Sequence, residues 1–216
     1  MKSGLSGKVV CLVSGGIDSP VAAWLMMKKG LEPVFVYFDN SPFTDETTEM
    51  RAVEVVEKLK DGFGMAFRFL VVPHGETLAD ILRSCPRNLT CVLCRRMMYR
   101  IAEKIALKEG AEVIVTGEII GEHASQTVRN LLVENETLKE VTILRPLLGM
   151  NKIEVESLAR KIGTFDISIK VASCCSGPPP KPRTRANLDE VHRAEECLDV
   201  SHMVESDIAN IKVLKV

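Results

Sequence analysis

Two groups of residues in this sequence have the types and spacing that chemistry requires. The first is the run Ser14-Gly15-Gly16-Ile17-Asp18-Ser19, set between an apolar segment and a helical pattern. Glycines at a strand-to-helix turn let main-chain N–H groups approach an anion closely. No lysine follows to complete a Walker loop, and the spaced glycines of a dinucleotide fingerprint are absent. A carboxylate at Asp18 repels phosphate unless a divalent cation such as Mg²⁺ lies between them. The structural alternative is that Asp18 caps the helix and the glycines form an ordinary turn.

The second group is sulfur. The chain has 7 cysteines. Cys11 lies inside an apolar run and reads as a small core residue. Cys91 and Cys94 form a C-x-x-C, Cys174 and Cys175 are adjacent, and Cys85 and Cys197 read as structural. Without a secretion signal, such a set points to metal or thiol chemistry rather than to disulfides. A lone C-x-x-C is compatible with zinc, an iron–sulfur cluster or a redox dithiol. A thiol at a helix start also has a lowered pKa and can carry a persulfide. The four histidines, His74, His123, His192 and His202, show no metal spacing, and His123 reads as a polar surface residue.

The elements that must position these groups follow from hydrophobic period. Strands are predicted at 8–14, 32–40, 66–73, 111–118 and 141–147, as short valine-rich apolar runs. Helices are predicted at 19–30, 44–62, 94–110, 124–136 and 150–163, with Gly30 and Gly163 as stops and Asn151 as a start. On these bounds the C-x-x-C lies just before the long helix. Alternation of this kind predicts an α/β fold, a five-stranded, parallel, doubly wound sheet. Ligands of such sheets bind beyond the carboxyl ends of the strands, and SGGIDS, YFDNSPF and TGE all fall there. Prolines exclude helix and central strand from 176–185, so this is a loop or arm. A short helix near 187–198 and a last strand near 208–216 follow. The expected division is a nucleotide domain at 1–172 and a cysteine- and proline-containing C-terminal extension at 173–216, packed on it.

The chain has 216 residues, 46% of them apolar, enough for a substantial core. Lys plus Arg number 28 and Asp plus Glu 29, so global charge makes no case for nucleic acid. Any RNA contact must come from a local patch; KPRTR with Arg183 and Arg185, and RRMMYR with Arg100, are the candidates. No apolar run reaches membrane-span length, and the opening apolar run is too short for a signal peptide. The expected location is the cytoplasm.

SGGIDS resembles the pyrophosphatase loop of the PP-loop ATP pyrophosphatases, which adenylate a substrate oxygen and release pyrophosphate. PVAAWLMMKKG, VYFDNSPFTDET, CRRMMYRIAEKIA, VTGEIIGEHASQT, LRPLLGMNKIEVESLARKIGTFDISI and SCCSGPPPKPRT extend the match in order over roughly residues 8–186. Together they resemble the synthetase domain of the tRNA 4-thiouridine synthetases, or tRNA sulfurtransferases. The resemblance implies ATP and Mg²⁺ as cofactors and adenylation of a uridine carbonyl oxygen, followed by its replacement with sulfur. By motif, the implied ATP-binding positions are Leu12, Val13, Ser14, Gly15, Gly16, Asp18, Ser19, Tyr37, Phe38, Arg95, Gly117 and Gln126. Residue types leave alternatives open: core packing for Tyr37 and Phe38, and a solvated helix face for Gln126. Arginine is disfavoured at a helix N-terminus, which suggests that Arg95 pairs with phosphate.

The implied catalytic residues are Asp18, Cys174 and Cys175. Archaeal-type members of the family hold an iron–sulfur cluster on three cysteines, with one iron free to carry sulfide. The matching positions are Cys91, Cys94 and Cys174, the last fitting better than Cys175 by its distance from TGE. Members without a cluster use the equivalent cysteine with a rhodanese domain that delivers persulfide. No rhodanese-like stretch follows, so a cluster is the expected sulfur route, with a thiol relay from a sulfide or persulfide donor as the alternative.

The familiar tRNA enzyme carries an RNA-binding THUMP portion ahead of its first core strand, and here that strand starts at about residue 8. The expectation is a tRNA substrate presented by a separate THUMP-type protein, or by the local basic groups. A homodimer is implied by the resemblance alone. The rival readings are sulfur insertion into another carbonyl such as a thiamine precursor, an ammonia-using PP-loop enzyme, which needs no such cysteine set, and a non-catalytic nucleotide- or iron–sulfur-binding protein.

Overall fold

The computed structural model describes residues 7–123 and 125–216. The apolar runs form β1 (Gly7–Leu12), β2 (Leu31–Asp39), β3 (Arg68–Pro73), β4 (Val113–Val115) and β5 (Thr142–Leu144), all parallel. A sixth strand, β6 (Lys212–Lys215), runs antiparallel to β3 and completes the order β5-β4-β1-β2-β3-β6. The expected five-stranded parallel sheet is therefore present, with one antiparallel edge strand added.

Side-chain period two sorts each strand between two layers. Val9, Cys11, Phe35, Tyr37, Phe69 and Val71 face one layer. That layer is covered by α1 (Asp18–Met27), α2 (Glu46–Phe63) and α6 (Lys152–Ile162), with the short α7 (Phe165–Ser168) beside α2 and α6. Val10, Val34, Val36, Leu70 and Val72 face the other, covered by α3 (Gly75–Ser84), α4 (Thr90–Glu109), α8 (Leu188–Glu195) and α9 (Val200–Ala209). The remaining helix, α5 (Val128–Asn135), packs on α4. Phe35, Phe69, Leu93 and Ile101 are wholly buried, each worth about 1.5–3 kcal/mol of burial.

Several bounds differ from the sequence expectation. α4 begins at Thr90 rather than 94, because Leu89 and Thr90 already take helical torsions after the turn at Arg87–Leu89. The C-x-x-C is thus inside the first turns of α4, not ahead of it. α2 starts at Glu46 rather than 44, capped by Asp45, whose carboxylate accepts from the Thr47 amide. α5 starts at Val128, capped by Thr127, so Gln126 lies in a loop and not on a helix; position 124, the expected helix start, is outside the described residues. Three helices, α3, the short α7 and α9, lie outside the sequence expectation.

α8 is fastened to α4 by charge. Arg96 Nε and Arg100 Nη1 reach Glu195 Oε1 at 2.8 and 2.7 Å, and Arg96 is 1% exposed. Among the described residues no helix is long and apolar enough to cross a membrane.

Candidate functional site: an anion loop and a thiol group at the strand ends

Strand order reverses at β1, which lies between β2 and β4. At such a reversal the crossovers leave in opposite directions, and ligands of open α/β sheets bind there, beyond the carboxyl ends of the strands. The loop from Val13 to Ile17 sits there. Its path is held by Val13 N–H donating to Val36 O at 2.9 Å and Ser14 N–H donating to Ser19 Oγ at 3.1 Å. Gly15 has φ +69°, and a Cβ there would stand 2.9 Å from the Ala52 amide nitrogen of α2. Only glycine suits both conditions.

No side chain caps α1. Asp18 therefore does not serve as a cap; it is an acid in the first turn of α1. Instead its two oxygens lie 2.8 and 3.0 Å from Lys152 Nζ, at the first turn of α6. Lys152 is also 3.9 Å from Glu122. Uncapped amides at a helix N-terminus, a carboxylate and an ammonium share one opening, a combination suited to a polyphosphate with its metal ion. Motif and period alone do not single out Lys152. The available signal is a cation in a helix's first turn, where the dipole disfavours it.

Gly117 follows β4 and abuts this loop. A Cβ on it would lie 2.6 Å from Ser19 N and 2.7 Å from Ser19 Cα, so its role is close backbone approach. Gln126 is 7% exposed and its Oε1 accepts from the Ile119 amide, bracing the segment after Gly117 from inside. Leu12 ends β1, and Val13, the first residue of the loop, lies in the core. Tyr37 and Phe38 alternate across β2 into opposite layers. The Tyr37 hydroxyl is 2.7 Å from Thr48 Oγ1, and the Phe38 ring packs edge-on against His74. Both side chains are committed to packing, which leaves main chain for a ligand here.

Arg95 lies one turn inside α4 and donates to Glu118 Oε1 at 2.8 Å. Tyr99 OH and Thr116 Oγ1 also donate to Glu118, and Arg145 pairs with it. Burial disfavours the Glu118 carboxylate, but Arg95 and Arg145 outweigh it and hold its pKa below the usual range. The dipole argument for Arg95 depends on a helix start at 94; with α4 beginning at Thr90, its partner is a carboxylate. Glu134, also buried, has neither oxygen hydrogen-bonded and lies 4.0 Å from Arg95 Nε. Burial pushes its pKa up to about 8, with Arg95 pulling the other way.

The thiols gather on the other layer. Cys91, Cys94 and Cys175 are close enough to affect one another: burial first, then Cys175, raises the pKa of both Cys91 and Cys94. Burial also raises that of Cys175, opposed by a hydrogen bond from the Gly177 amide. Cys174 is exposed. The strap that carries this pair is tied down by Ser173 Oγ accepting from the Asp45 amide and by Ser176 N–H donating to Phe43 O, both at 2.9 Å. The family resemblance places Cys174 beside the C-x-x-C; the strap instead turns Cys175 inward and Cys174 to solvent. Cys94 Sγ is 3.5 Å from His74 Nε2, and His74 Nδ1 is 2.8 Å from Asp207 Oδ2. His123 is exposed. Among the described residues no group of three or more His, Cys, Asp or Glu is arranged to hold a metal ion. The donor set itself, three neighbouring thiols, suits soft metals or sulfur chemistry.

The chain is similar to known proteins in sequence and in fold. The curated relatives include a probable tRNA sulfurtransferase of Methanosarcina mazei, 43% identical over 213 residues. Another, of Caldanaerobacter subterraneus subsp. tengcongensis, is 42% identical over 205 residues. These alignments cover 98% and 94% of this chain but 52% and 53% of the relatives, so the chain spans about half their length. Among solved structures, a 4-thiouridine synthetase in complex with RNA and with bound ATP superposes with a TM-score of 0.92 at 34% identity. That match covers 97% of this chain and 55% of the other. An NMN synthetase from Francisella tularensis shares the fold alone, with a TM-score of 0.58 and 15% identity. The family model described as Thiamine biosynthesis protein (ThiI) matches residues 4–200, and the chain belongs to that family.

Proposed function

We propose that this chain carries the ATP-activating and sulfur-transferring chemistry of a tRNA sulfurtransferase, giving 4-thiouridine. The observation that supports this most is the Asp18–Lys152 pair at the mouth of an uncapped α1, with Gly117 packed against the same turn. ATP would enter with its phosphates on the loop amides of residues 14–19, and Asp18 would hold Mg²⁺, which would offset the phosphate charge. Leu12, Val13, Tyr37 and Phe38 contribute their main chain at the strand ends. Gly117 and Gln126 keep the facing loop in place, and Arg95 holds Glu118 beneath it.

Uridine O4 attacks the α-phosphorus as the N3 proton passes to solvent, and pyrophosphate departs onto the loop. Lys152 and the α1 amides stabilise the charge that collects on it. Hydrosulfide then adds at C4, AMP leaves with the C–O bond, and the hydrosulfide proton ends on N3. Cys91, Cys94 and Cys175 would hold an iron–sulfur cluster, with Cys174 beside them at the surface. Such a cluster supplies a place where inorganic sulfide binds. Cys174 or Cys175 as a persulfide is the alternative source of sulfur. The expected setting is the cytoplasm, with a THUMP-containing segment or separate protein helping to present the tRNA, and with the chain as a homodimer.

The test is pyrophosphate release from ATP with an unmodified tRNA transcript, followed by the mass of the RNA after sulfide is added anaerobically. Release together with the mass gain of one oxygen-to-sulfur exchange is expected. No release would end the proposal, and release without sulfur incorporation would restrict it to adenylation. Iron and sulfide analysis of anaerobically purified protein separates cluster from persulfide.

A further inference from the structure

Three stretches of the chain contain no acid. Residues 81–102, 123–133 and 167–188 carry none of the 29 aspartates and glutamates, which the near-zero net charge conceals. They are far apart in sequence, and the fold joins them. Arg183 N–H donates to Asn88 O at 2.9 Å. Asn130, wholly buried, donates from Nδ2 to Arg183 O at 2.7 Å and accepts at Oδ1 from Ala186 N–H at 2.9 Å. Thr127 Oγ1 donates to Thr184 O, and Arg129 Nε to Ala186 O. The proline-rich arm, residues 176–187, is thereby laid between the start of α4 and the start of α5. Its other end continues from the Cys174–Cys175 strap.

The charged side chains on it are all cationic, as are Arg87 and Arg129 beside it. Arg87, Arg129, Lys181 and Arg185 are exposed, and among the described residues none has a carboxylate partner in an ion pair. Arg183 alone is paired, with Glu190. The arm offers no aromatic or large aliphatic side chain from 176 to 187, so it lacks the apolar anchors that a protein interface needs. Cations on a pinned backbone, without such anchors, match a polyanion read through its phosphates.

We propose that the arm 176–187, with Arg87 and Arg129, is a phosphate-binding strip that lays an RNA backbone beside the thiols. This rests on RNA being the substrate class proposed above. The strip is set apart from the nucleotide loop: it takes the phosphates of the acceptor strand, not those of ATP. It also gives the C-terminal extension a role that the adenylation chemistry does not use.

The test compares two variants of equal charge change. One replaces strip residues, Arg87→Gln/Lys181→Gln/Arg185→Gln, and spares Arg129 because it holds the arm. The other, Lys104→Gln/Lys108→Gln/Lys215→Gln, removes exposed cations near the amino ends of the strands. Binding of an unmodified tRNA transcript is measured across a salt series, with ATP–Mg²⁺ binding measured alongside. The strip variant is expected to bind RNA at least about tenfold more weakly at low salt. Its slope of log K against log salt should be shallower by about 0.7–0.9 for each phosphate that is no longer neutralised. The other variant should track the unsubstituted chain, and ATP binding should be equal in all three. Equal weakening in both variants overturns the proposal. So does a strip variant that binds as the parent does, a parent with no salt-dependent RNA binding, or polyglutamate competing as well as RNA. Strip-dependent RNA binding without sulfur incorporation would leave the strip standing and remove the chemistry; incorporation with an indifferent strip would do the reverse.

Discussion

Lys152 Nζ lies 2.8 Å from one carboxylate oxygen of Asp18 and 3.0 Å from the other, joining the first turns of α6 and α1. The two side chains are 34% and 19% exposed. A pair this open contributes roughly 0–1 kcal/mol to folding, so its placement at an uncapped helix start is better explained by a ligand than by stability. Lys152→Ala is expected to leave the urea midpoint nearly unchanged and to lower pyrophosphate release by about 10²–10³-fold, the range for one preorganised group on developing charge. Asp18→Asn should do the same. The two residues act on one polyphosphate, so the double variant should be little worse than either single one. Single-turnover pyrophosphate release on the three proteins checks this; fully multiplicative losses would mean that the residues work apart.

Gly117 gives a second prediction by sterics alone. An added Cβ meets Ser19 N at 2.6 Å, Ser19 Cα at 2.7 Å and Asp18 C at 2.8 Å, all of them main chain. These atoms cannot swing aside as a flexible side chain would, so Gly117→Ala must displace the start of α1. ATP affinity should fall by at least about tenfold, a cost of roughly 1.4 kcal/mol. Gly149→Ala is the control, since no heavy atom lies within 4 Å of where its methyl group would stand and its φ is ordinary. Isothermal titration with ATP–Mg²⁺ compares them.

How far this site is legible in the sequence depends on whether local period or distant packing places each residue. The five parallel strands and the glycine loop announce themselves through apolar runs and a glycine pair at a strand end. α3 is less plain: Leu78, Ile81 and Leu82 keep helical spacing in Gly75–Ser84, but the helix is only ten residues long and no side chain caps its start. With that helix hidden, so is His74, which leads into it and reaches Cys94. The dipole rule points to Arg95 only when the start of α4 is placed too late. The same rule applied to Lys152, where the boundary is right, finds the partner of Asp18. Which of Cys174 and Cys175 turns inward is set by the hydrogen bonds Asp45 N–H to Ser173 Oγ and Ser176 N–H to Phe43 O, and no local pattern encodes these.

Glu134 predicts an unusual dependence of stability on pH. Its folded pKa is raised from 4.5 to about 8, chiefly by burial. The native state then holds a proton that the unfolded state loses above about 4.5. Stability from this group falls as pH rises from about 4.5 to 8 and levels off above that, by several kcal/mol at about 1.4 kcal/mol per pKa unit. Glu195 acts in the opposite sense and in another window. Arg100 and Arg96 overcome its burial and hold it at about 2, so its contribution is full above 4.5 and is lost as pH falls towards 2. Glu134→Gln should therefore flatten the profile between pH 5 and 8 and stabilise the protein most at the alkaline end. Urea melts at pH 5, 6, 7 and 8 measure the slope. An unchanged slope would show that Glu134 is ionised in the folded protein.

The thiols should separate by reactivity in the order that their surroundings dictate. Alkylation consumes the thiolate, so a group whose pKa is raised by burial reacts slowly at a given pH, and a shielded sulfur more slowly still. Cys174 is exposed on its strap and should be modified first by iodoacetamide. Cys91 and Cys175, with pKa values raised by burial, should lag by at least about tenfold. Cys94 is pushed up by burial and by both neighbouring thiols, and it packs against the wholly buried His74, so it should be the slowest of the four. Timed quenching followed by peptide fragmentation resolves the adjacent Cys174 and Cys175. Loading iron and sulfide anaerobically should then protect Cys91, Cys94 and Cys175 while leaving Cys174 as reactive as before. Protection of Cys174 in place of Cys175 would mean that the strap rotates when the site fills, and that the inward thiol of the empty protein is not the ligand.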